Sequence, residues 1–183
     1  MLSTNEKFIV LDRDGVINED LWGYVTSREE FKPIEGSLDA IARLTKEGYF
    51  IAIATNQACI NKNIISIKRL HTIHEHMMDL VEEKGGKINF IAFCPHTPEE
   101  NCDCRKPEVG LLTQIEKQLG YSLKGSFFVG DKRSDILCAK RFGCIPILVE
   151  TGYGIKTIKS SLDLPQANRF KSLSSAVDFI LGA

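Results

Sequence analysis

No run of apolar residues in this 183-residue sequence approaches the roughly 20 needed to cross a bilayer, so no membrane-spanning helix is expected. Nor does one sign of charge dominate. There are 23 Lys and Arg against 24 Asp and Glu, a formal net charge of −1, without the basic excess of a general nucleic-acid binder. Residues 1–7 are polar and run straight into a strand-like segment, so no secretory signal is expected and the chain reads as cytoplasmic. Internal repeats and low-complexity tracts are missing as well. In a cytoplasmic chain the six cysteines do not make a disulfide framework, and three of them crowd at Cys94, Cys102 and Cys104. What is present suits one domain spanning 1–183, and nothing points to more than a monomer.

Strand-like runs at 8–11, 49–54, 88–93, 126–129 and 144–149 alternate with helical patterns at 37–47, 66–84, 107–119 and 133–142. Ser37 and Ser66 read as helix caps, Gly48, Gly120 and Gly143 as stops, and Pro107 as the first turn of its helix. Residues 156–172 read as a surface excursion before a last short helix at 175–181. The alternation implies an α/β fold, a Rossmann-like parallel sheet with helices on both faces. Every gap between motifs holds one βα unit or one loop, so no cap domain is expected. Ligands in such folds bind outside the carboxyl ends of the strands. Asp12, Thr55 and Asp131 each sit at such an end.

Asp12-Arg13-Asp14-Gly15 alone could be an ordinary turn. Its company argues otherwise: Thr55-Asn56 follows the second strand, Lys106 the third and Asp131-Lys132 the fourth. Each type suits one part of phosphoryl transfer. Asp12 is expected to attack phosphorus and form an acyl phosphate. Two anions approach only with a hard cation between them, and Mg²⁺ takes one or two carboxylates plus water and substrate oxygens. Asp12, Asp131 and the backbone carbonyl of Asp14 are expected to hold it. The Asp14 side chain is then free to act as general acid and later as general base. Thr55, the Asn56 backbone and Lys106 would hold the equatorial oxygens.

Cys94-Pro-His96, five residues, then Cys102-Asp-Cys104 offers three thiolates and an imidazole in a loop without periodicity. That set fits a closed tetrahedral Zn²⁺ site, structural because protein fills all four positions. Arg105-Lys106 follows the last ligand, so the loop would aim two cations at phosphate. His71, His74 and His76 share one helix and read as solvated side chains. Cys138 and Cys144 read as small core residues. Trp22 and Tyr24 leave packing and sugar contact equally open, and Cys59 has no assigned role.

Asp12-Arg-Asp-Gly-Val-Ile-Asn18, Thr55-Asn-Gln57, Cys94-Pro-His96, Cys102-Asp-Cys104-Arg-Lys-Pro107 and Gly130-Asp-Lys132, spread over about residues 8–150, resemble the haloacid dehalogenase superfamily. Within it they are most similar to the D-glycero-D-manno-heptose 1,7-bisphosphate 7-phosphatases. The resemblance implies a Mg²⁺-dependent sugar phosphatase with Mg²⁺ on Asp12, Asp14 and Asp131 and zinc on Cys94, His96, Cys102 and Cys104. It also implies substrate contacts from Asp20, Gly23, Tyr24, Thr55, Asn56, Gln57, Ala58, Arg105 and Lys132, and a bacterial cytoplasmic role in making nucleotide-activated heptose for lipopolysaccharide or other surface glycans. Two departures stand out. Relatives carry Gly soon after Thr-Asn-Gln and an Arg-Gly pair beyond, where this chain reads Ala58-Cys59-Ile60-Asn61-Lys62-Asn63. The short gap in the cysteine loop is similar to that of histidinol-phosphatase domains, whereas Gly23-Tyr24-Val25 followed by Phe31 resembles the heptose branch. Histidinol phosphate therefore stays as the alternative substrate. A DNA 3′-phosphatase and a non-catalytic zinc-stabilised binding module stand behind it.

Overall fold

The computed structural model describes residues 7–160 and 164–182. Residues 1–6, on which most of the signal-peptide expectation rests, lie outside that range. The elements are β1 (Lys7–Leu11), α1 (Ser37–Lys46), β2 (Tyr49–Asn56), α2 (Ile67–Glu83), β3 (Phe90–Cys94), α3 (Gly110–Leu119), β4 (Phe127–Gly130), α4 (Arg133–Phe142), β5 (Ile145–Val149), α5 (Gly154–Ser160), β6 (Asn168–Phe170) and α6 (Leu173–Leu181). All six strands pair in parallel, in the order β3-β2-β1-β4-β5-β6.

Side chains alternate across a strand, and here the alternation sorts the core into two layers. Ile9 and Leu11 pack with Ile41 and Leu44 of α1, Ile73 and Met77 of α2, and Ala176 and Val177 of α6. Phe8 and Val10 face the other way, with Leu111 and Ile115 of α3 and Cys138 and Ala139 of α4. Both faces of the sheet are therefore covered, which is why its strands are continuously apolar. The strand order reverses between β1 and β4, and the carboxyl ends of those two strands carry Asp12 and Asp131. That is where such sheets bind ligands.

Several expectations need correction. Ser37 does not cap α1: Gly36, at φ 76°, precedes the helix, and Ser37 Oγ donates 2.7 Å to the Ile17 carbonyl. That bond ties the loop after β1 to the helix. Ser66 does cap α2, accepting from Arg69 N. β2 runs two residues past its last apolar position, because Thr55 and Asn56 continue the ladder opposite Phe93 and Cys94. Pro107 starts no helix; its peptide bond with Lys106 is cis and α3 begins at Gly110. The excursion at 156–172 contains the end of α5 and the three-residue edge strand β6, too short and too exposed for hydrophobic patterning to reveal. The long connection 12–36 is held by bridges Asp14–Asn18 and Asn18–Pro33 and adds no separate layer. Among the described residues no helix is long and apolar enough to cross a membrane.

Candidate active site

The sheet delivers Asp12 and Asp131 side by side because β1 and β4 pair directly, Leu11 opposite Val129. Asp12 N donates 2.9 Å to the Val129 carbonyl, and Asp12 Oδ1 accepts from Arg13 N. Asp131 is fully buried. Its Oδ2 accepts 2.7 Å from Tyr153 N, and its Oδ1 has no partner among the described residues. Gly15 and Gly152, both at positive φ, flank this carboxylate so closely that a Cβ on either would collide with it. Asp135 comes up from the first turn of α4, where its Oδ2 accepts from Lys132 N.

Carboxylate oxygens of Asp12, Asp131 and Asp135 all lie within 4.8 Å of one another. Burial raises Asp12 and Asp131 above the ordinary carboxylate range, with Asp135 adding to both and lysine charges opposing. Three buried acids, with Asp131 Oδ1 and Asp135 Oδ1 both lacking a hydrogen-bond partner among the described residues, are the donor set of a hard divalent cation, so the residues present fit Mg²⁺.

Lys106 supplies the other charge. Its Nζ lies 2.9 Å from Asp12 Oδ1, 2.7 Å from the Ala54 carbonyl and 2.7 Å from Asp135 Oδ1, the last an ion pair without the alignment of a hydrogen bond. Burial alone would lower this amine's pKa; Asp12 and Asp135 outweigh it and hold Lys106 charged. Lys106 N and its carbonyl both bond the Asn56 side chain, at 3.1 Å each, fastening the loop after β3 to the end of β2. Asp12, Asp14, Thr55, Asn56, Lys106 and Lys132 line one pocket with Ser134 and Asp135.

The Asp14 side chain is held on several sides. Its carboxylate accepts from Arg13 at 2.7 and 2.9 Å, from Asn18 at 2.9 Å and from Gln57 at 2.9 Å. Burial would raise its pKa, but the Arg13 charge and these bonds prevail and lower it. Gln57 also donates to Thr55 Oγ1 at 2.8 Å, so it braces two pocket residues from behind. His74 departs from its expected place. It is 5 % exposed and touches Arg13, where a solvated residue was expected.

Lys132 Nζ reaches Asp20 Oδ2 at 2.9 Å and sits 4.6 Å above the Tyr153 ring. Trp22, at φ 58° and 65 % exposed, packs against that ring with centroids 4.4 Å apart and the planes tilted by 58°. Gly23, Tyr24, Ala58 and Arg105 do not line the carboxylate pocket. Tyr24 lies under Lys62, 5.6 Å from its ring, and Ala58 is buried. Arg105 Nη1 donates 3.1 Å to the His96 carbonyl, and Arg105 faces a neighbouring cleft that Lys106 also lines.

The cysteine loop brings its four donors together. Cys94, Cys102 and Cys104 Sγ are 3.2–3.6 Å apart, and His96 Nδ1 is 3.4 Å from Cys94 and 3.2 Å from Cys104. A tetrahedral ion with Zn–S near 2.3 Å separates sulfurs by about 3.8 Å, so the cluster is close to that arrangement and compatible with zinc.

Sequence reasoning gave no role to Asp135, Arg13 or His74. Asp135 follows Asp131 at helical spacing across the strand-to-helix turn, a signal that was legible; Arg13 and His74 carry none, because charged and imidazole side chains default to the surface.

A family model described as HAD-hydrolase-like matches residues 103–171. D-glycero-β-D-manno-heptose-1,7-bisphosphate 7-phosphatase of Pseudomonas putida is 44 % identical over 156 residues, covering 85 % of this chain and 89 % of that one. The enzyme of the same name from Helicobacter pylori strain J99 is 35 % identical over 181 residues, 98 % of this chain and 99 % of its own. The chain belongs to this family of haloacid dehalogenase-like phosphatases. The crystal structure of D,D-heptose 1,7-bisphosphate phosphatase from Bordetella bronchiseptica, complexed with magnesium and phosphate, superposes with a TM-score of 0.92 at 37 % identity, covering 96 % of this chain and 98 % of that one. Membership makes the protein a phosphatase of the magnesium-using kind. The heptose-phosphatase resemblance read from the sequence holds.

Proposed function

We propose that this phosphatase removes the 7-phosphate of D-glycero-D-manno-heptose 1,7-bisphosphate through an aspartyl-phosphate on Asp12, acting as one monomeric domain over 1–183. The observation that carries it is the buried Asp12–Lys106 pair beside Asp131, in the same pocket as Asp14 and Thr55. The names of the relatives support the substrate.

Mg²⁺ held by Asp12, Asp131 and the Asp14 carbonyl supplies the positive charge that lets a carboxylate meet an anionic phosphate. Asp12 attacks phosphorus; the Asp12 oxygen–phosphorus bond forms as the bond to the sugar oxygen breaks. Asp14 gives that oxygen its proton, then takes one from the water that attacks the acyl phosphate. Its bonds from Arg13, Asn18 and Gln57 favour the ionised form, which suits the second half of the cycle. Lys106, Thr55 and the Asn56 backbone stabilise the equatorial oxygens, and Asp135 steadies Lys106. Asp20, Lys132 and the segment Gly23-Tyr24 are to meet the sugar and Arg105 its remote phosphate, while the buried Gln57 and Ala58 shape the wall behind them. Zn²⁺ on Cys94, His96, Cys102 and Cys104 is structural and fixes the loop that ends in Arg105-Lys106. The enzyme works in the cytoplasm on a small sugar phosphate, with no nucleic-acid partner.

Phosphate release measured side by side on both heptose bisphosphate anomers and on histidinol phosphate tests the substrate. A heptose anomer is expected to show the highest kcat/KM, and a preference for histidinol phosphate would overturn the heptose reading.

A further inference from the structure

His74 lies in the middle of α2, buried, while His71 on the same helix is exposed. Its ring packs edge-on near Phe93, centroids 6.2 Å apart, and its Nε2 is 3.2 Å from Arg13 Nη1. A guanidinium has only donors and stays charged. Nε2 must therefore be the acceptor, with the imidazole neutral and its proton on Nδ1. Burial first, and the Arg13 charge second, oppose protonation and take His74 down to about 3.

Arg13 is fully buried and uses its other edge on Asp14, through Nη2 to both oxygens and through Nε at 3.2 Å. An imidazole, a guanidinium and a carboxylate thus run in line from α2 to the catalytic pocket. The acceptor at the far end is neutral. It satisfies an N–H of the guanidinium without drawing its charge away from Asp14, as a second carboxylate there would.

We propose that His74 is a positioning residue for proton transfer: its Nε2 fixes the Arg13 guanidinium, which fixes the direction in which Asp14 faces the leaving oxygen. This rests on the reading of Asp14 as the acid–base group. When Asp12 takes the phosphoryl group, the proton passes from Asp14 to the departing alkoxide. A departing group stable as an anion needs no such proton, so the dependence on Asp14 placement scales with leaving-group basicity.

Rapid-quench measurement of the phosphorylation step, with the Mg²⁺-loaded enzyme on heptose bisphosphate and on p-nitrophenyl phosphate, tests this. His74→Leu should slow heptose bisphosphate about tenfold or more and p-nitrophenyl phosphate less than about threefold, part of the 10²–10⁴ that a placed acid supplies. His74→Gln, whose carbonyl oxygen can meet the same N–H, should restore both rates to within about threefold of the parent. If His74→Leu fails to fold, His74→Asn, with a shorter reach, must show the same split. Equal losses on both substrates, no loss, or a Gln variant as impaired as the Leu variant would overturn the proposal. Asp14→Asn serves as reference: a leaving-group split there without one at His74 faults His74 alone, and no split there removes the acid reading and the proposal with it.

Discussion

Lys106 Nζ lies 2.9 Å from Asp12 Oδ1, and both side chains are shut away from solvent. The amine is the one cation in contact with two buried acids, Asp12 and Asp135, among the described residues. Lys106→Met should leave both unpaired and cost about 3–5 kcal/mol in Mg²⁺-free buffer with the cysteine loop still zinc-loaded, read from urea unfolding. In Mg²⁺ the same variant should lose about 10²–10³ in kcat, as for a removed oxyanion donor. A variant of parental stability and activity would contradict the pairing.

A second expectation concerns pH. The folded state takes His74 from the ordinary 6.5 down to about 3, with Arg13, Asp14 and His71 the charged or titratable groups acting on it. Between those values the unfolded chain binds a proton that the folded chain refuses. Stability should therefore be unaffected by this group above 6.5 and fall below it, by up to about 1.4 kcal/mol per pH unit. Asp14, lowered from 3.8, adds a loss of the same sign only at still lower pH. Unfolding free energies of parent and His74→Gln between pH 3.8 and 6.5 isolate His74, and parallel curves would show that the imidazole is not held neutral.

The purified protein should carry about one Zn²⁺ per chain. Its removal should unfold the cysteine loop before the sheet and weaken phosphate binding more than turnover of bound substrate, because Lys106 is anchored in the next residues. Hydrogen exchange and elemental analysis read this. Full activity of zinc-free protein in excess Mg²⁺ would contradict a structural ion.

Arg105 bonds the His96 carbonyl in the cysteine loop and lines the cleft beside the carboxylate pocket, sharing Lys106 with it. It is expected to grip the remote phosphate, so Arg105→Ala should raise KM for heptose bisphosphate roughly ten- to a hundredfold, or about 1.5–3 kcal/mol, and spare p-nitrophenyl phosphate. Equal losses on both would place Arg105 outside the second-phosphate site.

Where hydrophobic runs end in polar residues, the sequence was readable. Asp12 and Asp131 terminate β1 and β4, and the bounds of α4 match those expected from its pattern. The donors of the cysteine loop were legible from their spacing, although Cys94 and Cys104 are also buried in the core layer beneath α3, which a loop between prolines and acids did not suggest. What escaped were contacts across the sheet and between helix and loop. Arg13 lies between two acids in sequence, yet only the packing of α2 beside the loop shows that it is buried and bonded to His74. The cage around Asp14 draws on Asn18 and Gln57, 39 positions apart, and periodicity carries no trace of such a meeting. β6 was missed because its three residues, Asn168 and Arg169 exposed and only Phe170 half-buried, pair at an edge without an apolar signature.

The covalent role of Asp12 can be read directly. Enzyme turning over heptose bisphosphate with Mg²⁺ is quenched, reduced with borohydride and sequenced by mass spectrometry, since an acyl phosphate is reduced to the alcohol. The account predicts homoserine at position 12, absent without substrate and absent in Asp12→Asn, whose kcat should fall at least ~10³ with the fold intact. Reduction at another carboxylate, or an Asp12→Asn enzyme that keeps turning over without reverting to Asp, would contradict it.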